Sequence, residues 1–209
     1  MIQSEKKTKI FCVTGPMAAG KNIACKILEA HGFLSVDADL LVHEAIENVK
    51  EKILSTFGEI AKNKNIPLLD ENGKINRRNL GSIIFDSPKL IKMQEEIVYP
   101  QVNFLIQKFI DENDGKNIIL NATVLYKVPS INLVNTIIFV DAPLLVRFFR
   151  AKKRDNLSSA QILKRFKSQK NLFSKYKNSN ADIKRVWNFG SEKCLEKKLL
   201  KIIEKTVAK

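Results

Sequence analysis

The fold of this chain is constrained first by an apolar run that stops at a glycine. Residues 10–13 are isoleucine, phenylalanine, cysteine and valine, a composition typical of a short buried strand. The run ends before Gly15, and apolar side chains recur at helical spacing after Lys21. We therefore predict a strand, a loop and a helix in succession, which is the first part of a βαβ unit.

The loop between strand and helix has the spacing of a phosphate-binding loop. Gly15 and the pair Gly20-Lys21 match the pattern G-x-x-x-x-G-K. In that pattern backbone N–H groups and a helix N-terminus surround a phosphate, while the lysine ammonium reaches its outer oxygens. The small side chains of Ala18 and Ala19 suit a backbone that approaches an anion closely. A glycine-containing turn in another kind of α/β protein is the alternative interpretation.

Position 22 departs from this pattern. The loop usually ends in Ser or Thr, whose hydroxyl ligates Mg²⁺, and this chain has Asn22. Because hard cations accept any oxygen ligand, the Asn22 amide oxygen is the candidate Mg²⁺ ligand. The sequence alone predicts that Asn22→Ser leaves activity equal or better, since it restores the usual hydroxyl.

Length and composition limit the class of protein. With 209 residues and 44% hydrophobic content, the chain forms one α/β domain with an insertion or two small domains. No run approaches the roughly 18 apolar residues of a membrane span, and residues 1–7 lack the apolar stretch of a signal peptide. We therefore expect a cytoplasmic protein. Cys12, Cys25 and Cys194 lie far apart in apolar segments and are predicted to be buried, reduced thiols.

Positive charge is concentrated in one region. The net charge is +14, and residues 147–185 hold 13 Lys and Arg against two Asp. Such a local field fits a nucleic-acid surface or a site for a highly phosphorylated small molecule, and a solvated basic face is the third possibility. The aromatic residues of this region recur at helical spacing, which favours core positions over a platform that stacks bases.

Two carboxylates follow the second predicted strand, over residues 33–36. They are Asp37 and Asp39, placed at the carboxyl end of that strand, where open α/β sheets bind ligands. A carboxylate there accepts a proton from a substrate hydroxyl or holds Mg²⁺ through water, and either residue is also a candidate cap for the next helix. His43 comes one turn later and either faces the same cleft or is structural.

The middle of the chain has the pattern of a helical insertion between strands. Apolar periodicity and turn residues predict a helix over residues 40–57 that ends at Gly58, a turn at 70–73, and helices over 76–85, 88–99 and 100–113. Beyond this insertion we predict strands over 117–120, 136–140 and 185–189, and a C-terminal helix from residue 191 with Leu195, Leu199 and Ile203 inward.

A basic helical segment follows the strand at 136–140. Arg147, Arg150 and Arg154 are three and four residues apart, so they share one helical face. This is the arrangement expected of a cationic lid over nucleotide phosphates. The residues from Asn156 to 170 follow immediately, and Lys164, Arg165 and Gln169 extend the basic face there.

These segments together resemble the dephospho-CoA kinase family over nearly the whole chain. The resemblance is carried by the loop from Val13 to Lys21, by Asp37-Ala38-Asp39, by residues 73–80, 84–85 and 98–100, by Arg150, Arg154-Asp155, Arg165 and Gln169, and by Ala181-Asp182, Asn188 and Gly190. It implies a P-loop, three-layer α/β/α fold with a parallel sheet. It also implies transfer of the ATP γ-phosphoryl group to the ribose 3′-hydroxyl of dephospho-CoA, which gives CoA.

The resemblance further implies a division of the chain and a role for each part. Residues 1–39, 114–146 and 185–209 would form the nucleotide-binding core, residues 40–113 the CoA-binding region and residues 147–184 the lid. ATP, with Mg²⁺, would contact Gly15, Ala18, Ala19, Gly20, Lys21, Asn22, Ile23, Arg150 and Asn188. Dephospho-CoA would contact Asp37, Asp39, His43, Arg77, Arg78, Tyr99 and Gln169. Catalysis would use Lys21, Arg150 and Arg154, with Asp37 or Asp39 as the base and Asp39 preferred.

Four positions depart from the family pattern. Besides Asn22, Pro16 replaces a second glycine, Tyr99 replaces a histidine, and Lys127 stands where the family has an acid. The changes at positions 22 and 127 are the most serious, because they replace a metal ligand and reverse a charge. We expect an active but divergent enzyme. A paralogue that binds nucleotide without turnover, a P-loop kinase for another acceptor, and a nucleic-acid-binding protein remain as alternatives.

Overall fold

The computed structural model describes residues 8–85, 87–155 and 157–207. The predictions about residues 1–7 and Asn156 therefore lie outside the described residues. The chain divides into two compact units, residues 1–37 with 110–209 and residues 38–109. Within the described residues, no helix combines the length and apolar composition needed to cross a bilayer.

The first unit is built on a five-stranded parallel sheet. Its strands are β1 (Ile10–Thr14), β2 (Leu34–Asp37), β3 (Ile118–Asn121), β4 (Thr136–Asp141) and β5 (Asp182–Trp187), in the order β2-β3-β1-β4-β5. The predicted parallel α/β sheet is confirmed, with β5 beginning and ending slightly earlier than the predicted 185–189. Its three inner strands are buried along their whole length, as their uninterrupted apolar runs predict.

Helices lie on both faces of this sheet. The first unit contains α1 (Lys21–Ala30), the C-terminal end of α5 (Pro88–Asp111), α6 (Leu144–Asp155), α7 (Ser159–Ser168), α8 (Leu172–Tyr176) and α9 (Glu192–Val207). On one face α1 and α9 pack against the sheet, and Leu195 and Leu199 are buried there as predicted, with Ile203 half-buried beside them. On the other face Phe139 of β4 meets Phe173 of α8 edge to face, with 4.9 Å between ring centroids.

The second unit is helical. It contains α2 (Ala38–Asn48), α3 (Lys50–Asn63), α4 (Arg77–Ile84) and most of α5. The predicted turn at 70–73 is confirmed by a hydrogen bond from the Gly73 N–H to the Asp70 carbonyl. The side chain of Asn76 caps α4 by accepting from the N–H of Asn79, as expected for Asn at this position.

The prediction that one helix runs over 40–57 and ends at Gly58 is wrong. The break falls at Val49, and α3 continues through Gly58. The apolar stripe of Ile53, Phe57 and Ala61 is buried and spans the glycine, and a glycine inside a helix costs only about 1 kcal/mol. Burial of the stripe is the larger effect, so the helix does not end there.

The predicted boundary at Pro100 is also wrong, because α5 is one helix with Pro100 inside it. A proline in a helix interior removes one backbone hydrogen bond, at a cost of about 3 kcal/mol. Val98, Val102 and Ile106 are nevertheless almost fully buried on either side of the proline. Burying three large apolar side chains offsets that cost, at roughly 1.5–3 kcal/mol each.

One of the three cysteines is not buried. Cys12 on β1 and Cys25 on α1 lie in the core, but Cys194 near the start of α9 is exposed. The prediction for Cys194 is therefore wrong. Its helix turns this position to solvent while Leu195 faces the sheet. Burial raises the pKa of the Cys25 thiol to about 12 and raises the pKa of Cys12 as well.

We therefore expect a single thiol to react in the native protein. With a disulfide reagent at pH 8, Cys194 should react quickly, because Cys12 and Cys25 are buried and carry almost no thiolate at that pH. After denaturation all three should react. Quantifying the released chromophore tests this expectation, and Cys194→Ser is the control that should leave no fast-reacting thiol. Two fast thiols in the native protein would contradict the buried placement of Cys12 and Cys25.

Candidate active site

The connection between β1 and α1, residues 15–20, has a shape that only glycine permits at two positions. We call this connection the glycine loop. At Gly15, where φ is +147°, an added Cβ would lie 1.9 Å from the Val140 carbonyl oxygen. At Gly20, where φ is +103°, it would lie 2.0 Å from Nδ2 of Asn188. The two glycines that define the sequence pattern are thus required by close packing as well as by backbone conformation.

Neighbouring groups hold the glycine loop in place. The Lys21 ammonium donates to the Gly15 carbonyl at 3.0 Å. The buried Asn188 donates from Nδ2 to the Ala19 carbonyl at 2.8 Å, and its own N–H donates to the Asp141 carbonyl. Gly20 is the N-cap of α1, so the N-terminal N–H groups of the helix face the loop. Such a helix end attracts an anion.

A cavity of about 370 Å³ opens beside the glycine loop. We call it the loop cavity. The residues lining it are Ala18, Gly20, Lys21, Asn22, Ile23, Arg150 and Arg154. All seven stand among the sequence-predicted site residues, and the structure brings them together around one space. Gly15, Ala19 and Asn188 shape the loop without lining this cavity.

The two arginines of the loop cavity are held differently. Arg150 reaches the Asn188 carbonyl from Nη2 at 3.4 Å. Among the described residues its Nη1 finds no hydrogen-bond partner, although the atom is buried. Arg154 instead forms a two-point ion pair with Asp155, at 2.6 and 2.9 Å, and this bond holds the pKa of Asp155 below its usual range. A buried donor that lacks a partner is costly, so Nη1 of Arg150 is suited to an anionic ligand.

Arg147 and Gln169 contact the glycine loop itself. Nε of Arg147 donates to the Met17 carbonyl at 2.9 Å, and Oε1 of Gln169 accepts from the Met17 N–H at 2.7 Å. The Arg147 guanidinium also lies over the Phe166 ring, 4.3 Å from its centroid. Burial lowers the pKa of Arg147. Arg147 and Gln169 line a neighbouring cavity of about 500 Å³ and do not line the loop cavity, so these two residues support the glycine loop at Met17.

Three polar side chains meet where β2 and β3 end. Nδ2 of Asn121 lies 3.2 Å from Oδ1 of Asn22 and 3.5 Å from Oδ2 of Asp37. Asp37 and Asn121 are paired in register at the carboxyl ends of β2 and β3. The structure therefore brings Asp37 and Asn22 to one place, as their sequence positions predict.

The remaining predicted residues belong to the second unit. Asp39 lies in the first turn of α2, one turn before His43. Arg77 and Arg78 open α4 with exposed side chains. In α5 the Tyr99 hydroxyl donates to Oε1 of Glu95 at 3.2 Å. Asp39 and His43 are both exposed, and Asp39 follows β2 as the sequence predicts.

Two residues with structural roles at this site are missing from the sequence interpretation. Asn121 is a polar residue at the end of an apolar strand. The same pattern identifies Asp37 as a candidate, so the sequence contains a signal for Asn121 as well. Tyr176 is fully buried, with its hydroxyl 3.0 Å from both Oγ1 of Thr14 and the Leu125 N–H. Its helical spacing marks it only as a core residue and gives no indication of these bonds.

The aromatic side chains of the basic region are mostly part of the core. Phe166 and Tyr176 are buried, and Phe173 packs against Phe139. Phe149 alone in this set is largely exposed among the described residues. Single-stranded nucleic acid requires exposed rings that alternate with cations, and the described part of residues 147–185 offers a largely exposed ring at Phe149 alone.

The parallel sheet and the glycine loop at its carboxyl edge define an α/β protein of the class that binds ligands at this edge, with phosphate favoured at a helix N-terminus. A family model described as dephospho-CoA kinase matches residues 9–186. The chain belongs to the dephospho-CoA kinase family. This membership makes the enzyme class an ATP-dependent kinase.

Individual relatives agree with the family match. A dephospho-CoA kinase from Treponema denticola is 35% identical over 197 residues, which are 92% of this chain and 88% of that protein. A second, from Treponema pallidum, is 31% identical over 196 residues, or 90% of this chain and 93% of that protein. The similarity therefore extends through both units of the fold.

Solved structures share the fold. TT1252 from Thermus thermophilus has a TM-score of 0.79 at 26% identity, covering 96% of this chain and 98% of that chain. A dephospho-CoA kinase from Campylobacter jejuni has a TM-score of 0.62 at 23% identity, covering 95% and 97%. At that identity the second likeness supports the fold alone.

Proposed function

We propose that this chain transfers the γ-phosphoryl group of ATP to the ribose 3′-hydroxyl of dephospho-CoA and so produces CoA, the last step of CoA biosynthesis. The observation that carries this proposal is the loop cavity, where a lysine, two arginines and the N-terminus of α1 surround one space beside the glycine loop. Cations and helix N–H groups around one cavity favour a polyphosphate. Family membership supplies the acceptor.

In this proposal the chain acts mainly by positioning and by electrostatic stabilisation. The backbone N–H groups of the glycine loop and of Lys21 bind the ATP phosphates, except at Pro16, which has no N–H, and at Met17, whose N–H donates to Gln169. The Lys21 ammonium leaves the Gly15 carbonyl to reach the phosphate oxygens. Nη1 of Arg150 gains the hydrogen-bond partner that it lacks within the described part of the chain. Arg154 keeps its ion pair with Asp155 and adds a second positive charge at the cavity. Preorganised cations of this kind favour the charge that develops in phosphoryl transfer.

The residues near Asn121 fit a magnesium ion. The amide oxygen of Asn22 and a carboxylate oxygen of Asp37 are both within reach of one amide group, and oxygen is the ligand that Mg²⁺ prefers. No group of three or more His, Cys, Asp and Glu suited to a metal occurs among the described residues. When bound, Mg²⁺ would neutralise phosphate charge. Binding of Mg²⁺ stays a prediction, as does the cytoplasmic location.

The acceptor side of the proposal rests on the second unit and the lid. Residues 40–113 provide Asp39, His43, Arg77, Arg78 and Tyr99 for dephospho-CoA, and the lid at 147–184 provides Gln169. Asp39 or Asp37 accepts the proton of the 3′-hydroxyl, with Asp39 preferred. A carboxylate that follows a strand end is suited to this task.

A coupled assay of ADP release tests the proposed reaction. With ATP and Mg²⁺, ADP should appear only when dephospho-CoA is present, and mass spectrometry should identify CoA as the product. CoA itself is a matched control, because its 3′-position already carries a phosphate and it should give no ADP. Turnover with a nucleoside monophosphate instead would reassign the acceptor. ATP binding without ADP release would favour the paralogue that binds nucleotide without turnover.

A further inference from the structure

The Asn121 side chain occupies a position that links two parts of the proposed site. It is almost fully buried, at 7% exposure, and it lies in register between Val13 of β1 and Asp37 of β2. Its Nδ2 group carries two hydrogens, and two oxygens lie within reach, Oδ1 of Asn22 at 3.2 Å and Oδ2 of Asp37 at 3.5 Å. One amide group therefore serves both candidate metal ligands.

The contact between Asn121 and Asn22 matters because position 22 holds asparagine in place of serine or threonine. A serine or threonine there presents its only polar atom, a hydroxyl oxygen. Asparagine carries both an oxygen and an NH₂ group on a longer side chain with one more rotatable bond, so an isolated Asn22 can turn either group inward. Because Asn121 donates, it selects the Asn22 oxygen. That oxygen has two lone pairs, so it can accept from Asn121 and still ligate a cation.

We propose that Asn121 is a positioning residue that holds the Asn22 amide oxygen and the Asp37 carboxylate toward the cation of a metal–nucleotide complex. The inference rests on the proposed function. Asn121 and Asn22 form a pair. The buried Asn121 amide on β3 fixes the orientation of the Asn22 side chain, whereas a hydroxyl at position 22 would not need to be oriented in this way. Position 121 thus compensates for the missing hydroxyl of the glycine-loop pattern.

The pair changes what is expected of Asn22→Ser. A serine side chain is too short to take the place of Oδ1 of Asn22. The substitution therefore removes the nearer acceptor of the buried Asn121 NH₂ group, and a buried donor that loses its acceptor is costly. We therefore expect Asn22→Ser alone to weaken binding of the magnesium complex of ADP about tenfold. Adding Asn121→Leu, an apolar side chain of similar volume, should recover most of that loss, because it removes the donor.

The experiment is a double-mutant cycle read by binding as well as by turnover. Calorimetry gives the Kd of ADP with Mg²⁺ and with EDTA for wild type, Asn22→Ser, Asn121→Leu and the double variant. Asn121→Leu should weaken binding about tenfold with Mg²⁺ and less than about twofold in EDTA. In the Asn22→Ser background the same change should instead restore most of the lost affinity for the magnesium complex. Asn121→Ala repeats the test should the leucine variant fold poorly.

A matched control separates positioning from general stability. Asn135→Ala removes another asparagine from the sheet, one that accepts from the Ile10 N–H at the opposite, amino edge. It should lower the melting temperature without changing the Mg²⁺ dependence of ADP binding. Equal losses with Mg²⁺ and with EDTA in Asn121→Leu, or single effects that simply add, would overturn the inference. Wild type that binds no adenine nucleotide would instead refute the proposed function.

Discussion

Replacing Lys21 with alanine should lower kcat/KM by about 10²–10³-fold while the protein stays folded. Lys21 lines the loop cavity, and its ammonium is 3.0 Å from the Gly15 carbonyl. Removing one preorganised donor from a phosphoryl-transfer site costs this much because the donor stabilises charge that develops in the transition state. Initial rates of ADP release at several dephospho-CoA concentrations provide the measurement.

Lys26→Ala is the matched control for this experiment. Lys26 lies on the same helix with an exposed side chain, so its removal changes the net charge equally without touching the cavity. Its activity should stay within about twofold of wild type, because the field of a surface charge is screened by salt. A Lys21→Ala enzyme that kept a third of the wild-type activity would contradict the assignment of Lys21.

The largest effect on stability is expected for Gly15→Ala. The new Cβ would lie 1.9 Å from the carbonyl oxygen of Val140, a residue of the inner strand β4 whose backbone is fixed by its neighbours on both sides. Neither atom belongs to a flexible side chain, so the glycine loop or the strand must move. We expect a loss of about 3 kcal/mol or more in the free energy of unfolding, measured by urea denaturation.

Gly32→Ala separates the two causes of that loss. Gly32 also has a positive φ, +87°, but an added Cβ would meet no atom within 4 Å. This control should cost only about 1–2 kcal/mol, the price of an L-residue in a left-handed conformation. Equal losses for the two variants would show that the strand yields to the clash and that conformation alone requires glycine at position 15.

The sheet and the glycine loop could be predicted from the sequence because their signals are local. A buried parallel strand is an unbroken apolar run, and the G-x-x-x-x-G-K spacing fixes where the strand stops and the helix begins. The same reasoning places Asp37 at the end of β2. Each signal sits within a few residues, and nothing distant in the chain overrides it.

The errors have one physical origin, which is tertiary packing that overrides local propensity. Gly58 and Pro100 are helix-breaking residues by propensity, but both lie inside helices whose apolar faces are buried. Cys194 lies in an apolar segment among core residues, yet its position around the axis of α9 leaves its side chain exposed. Local residue preferences amount to about 1–3 kcal/mol, and burial of two or three large side chains exceeds that.

The contacts within the site could not be predicted, because they join distant parts of the chain. Asn121 meets Asn22 across 99 positions, and the Tyr176 hydroxyl meets Thr14 across 162. A single sequence identifies polar residues at strand ends but gives no information on which of them touch. The structure supplies those pairings, and they in turn revise the prediction for Asn22→Ser.

The hydrogen bond from Asn188 to the glycine loop also affects the order in which the structure forms during synthesis. The Asn188 amide that holds the Ala19 carbonyl is 169 positions away from it, and the Asn188 carbonyl receives Arg150. A ribosome releases the glycine loop long before it releases residue 188. During translation, β1 and α1 can therefore form well before the loop is locked. The packing of the glycine loop becomes complete only when β5, which Asn188 directly follows, joins the edge of the sheet.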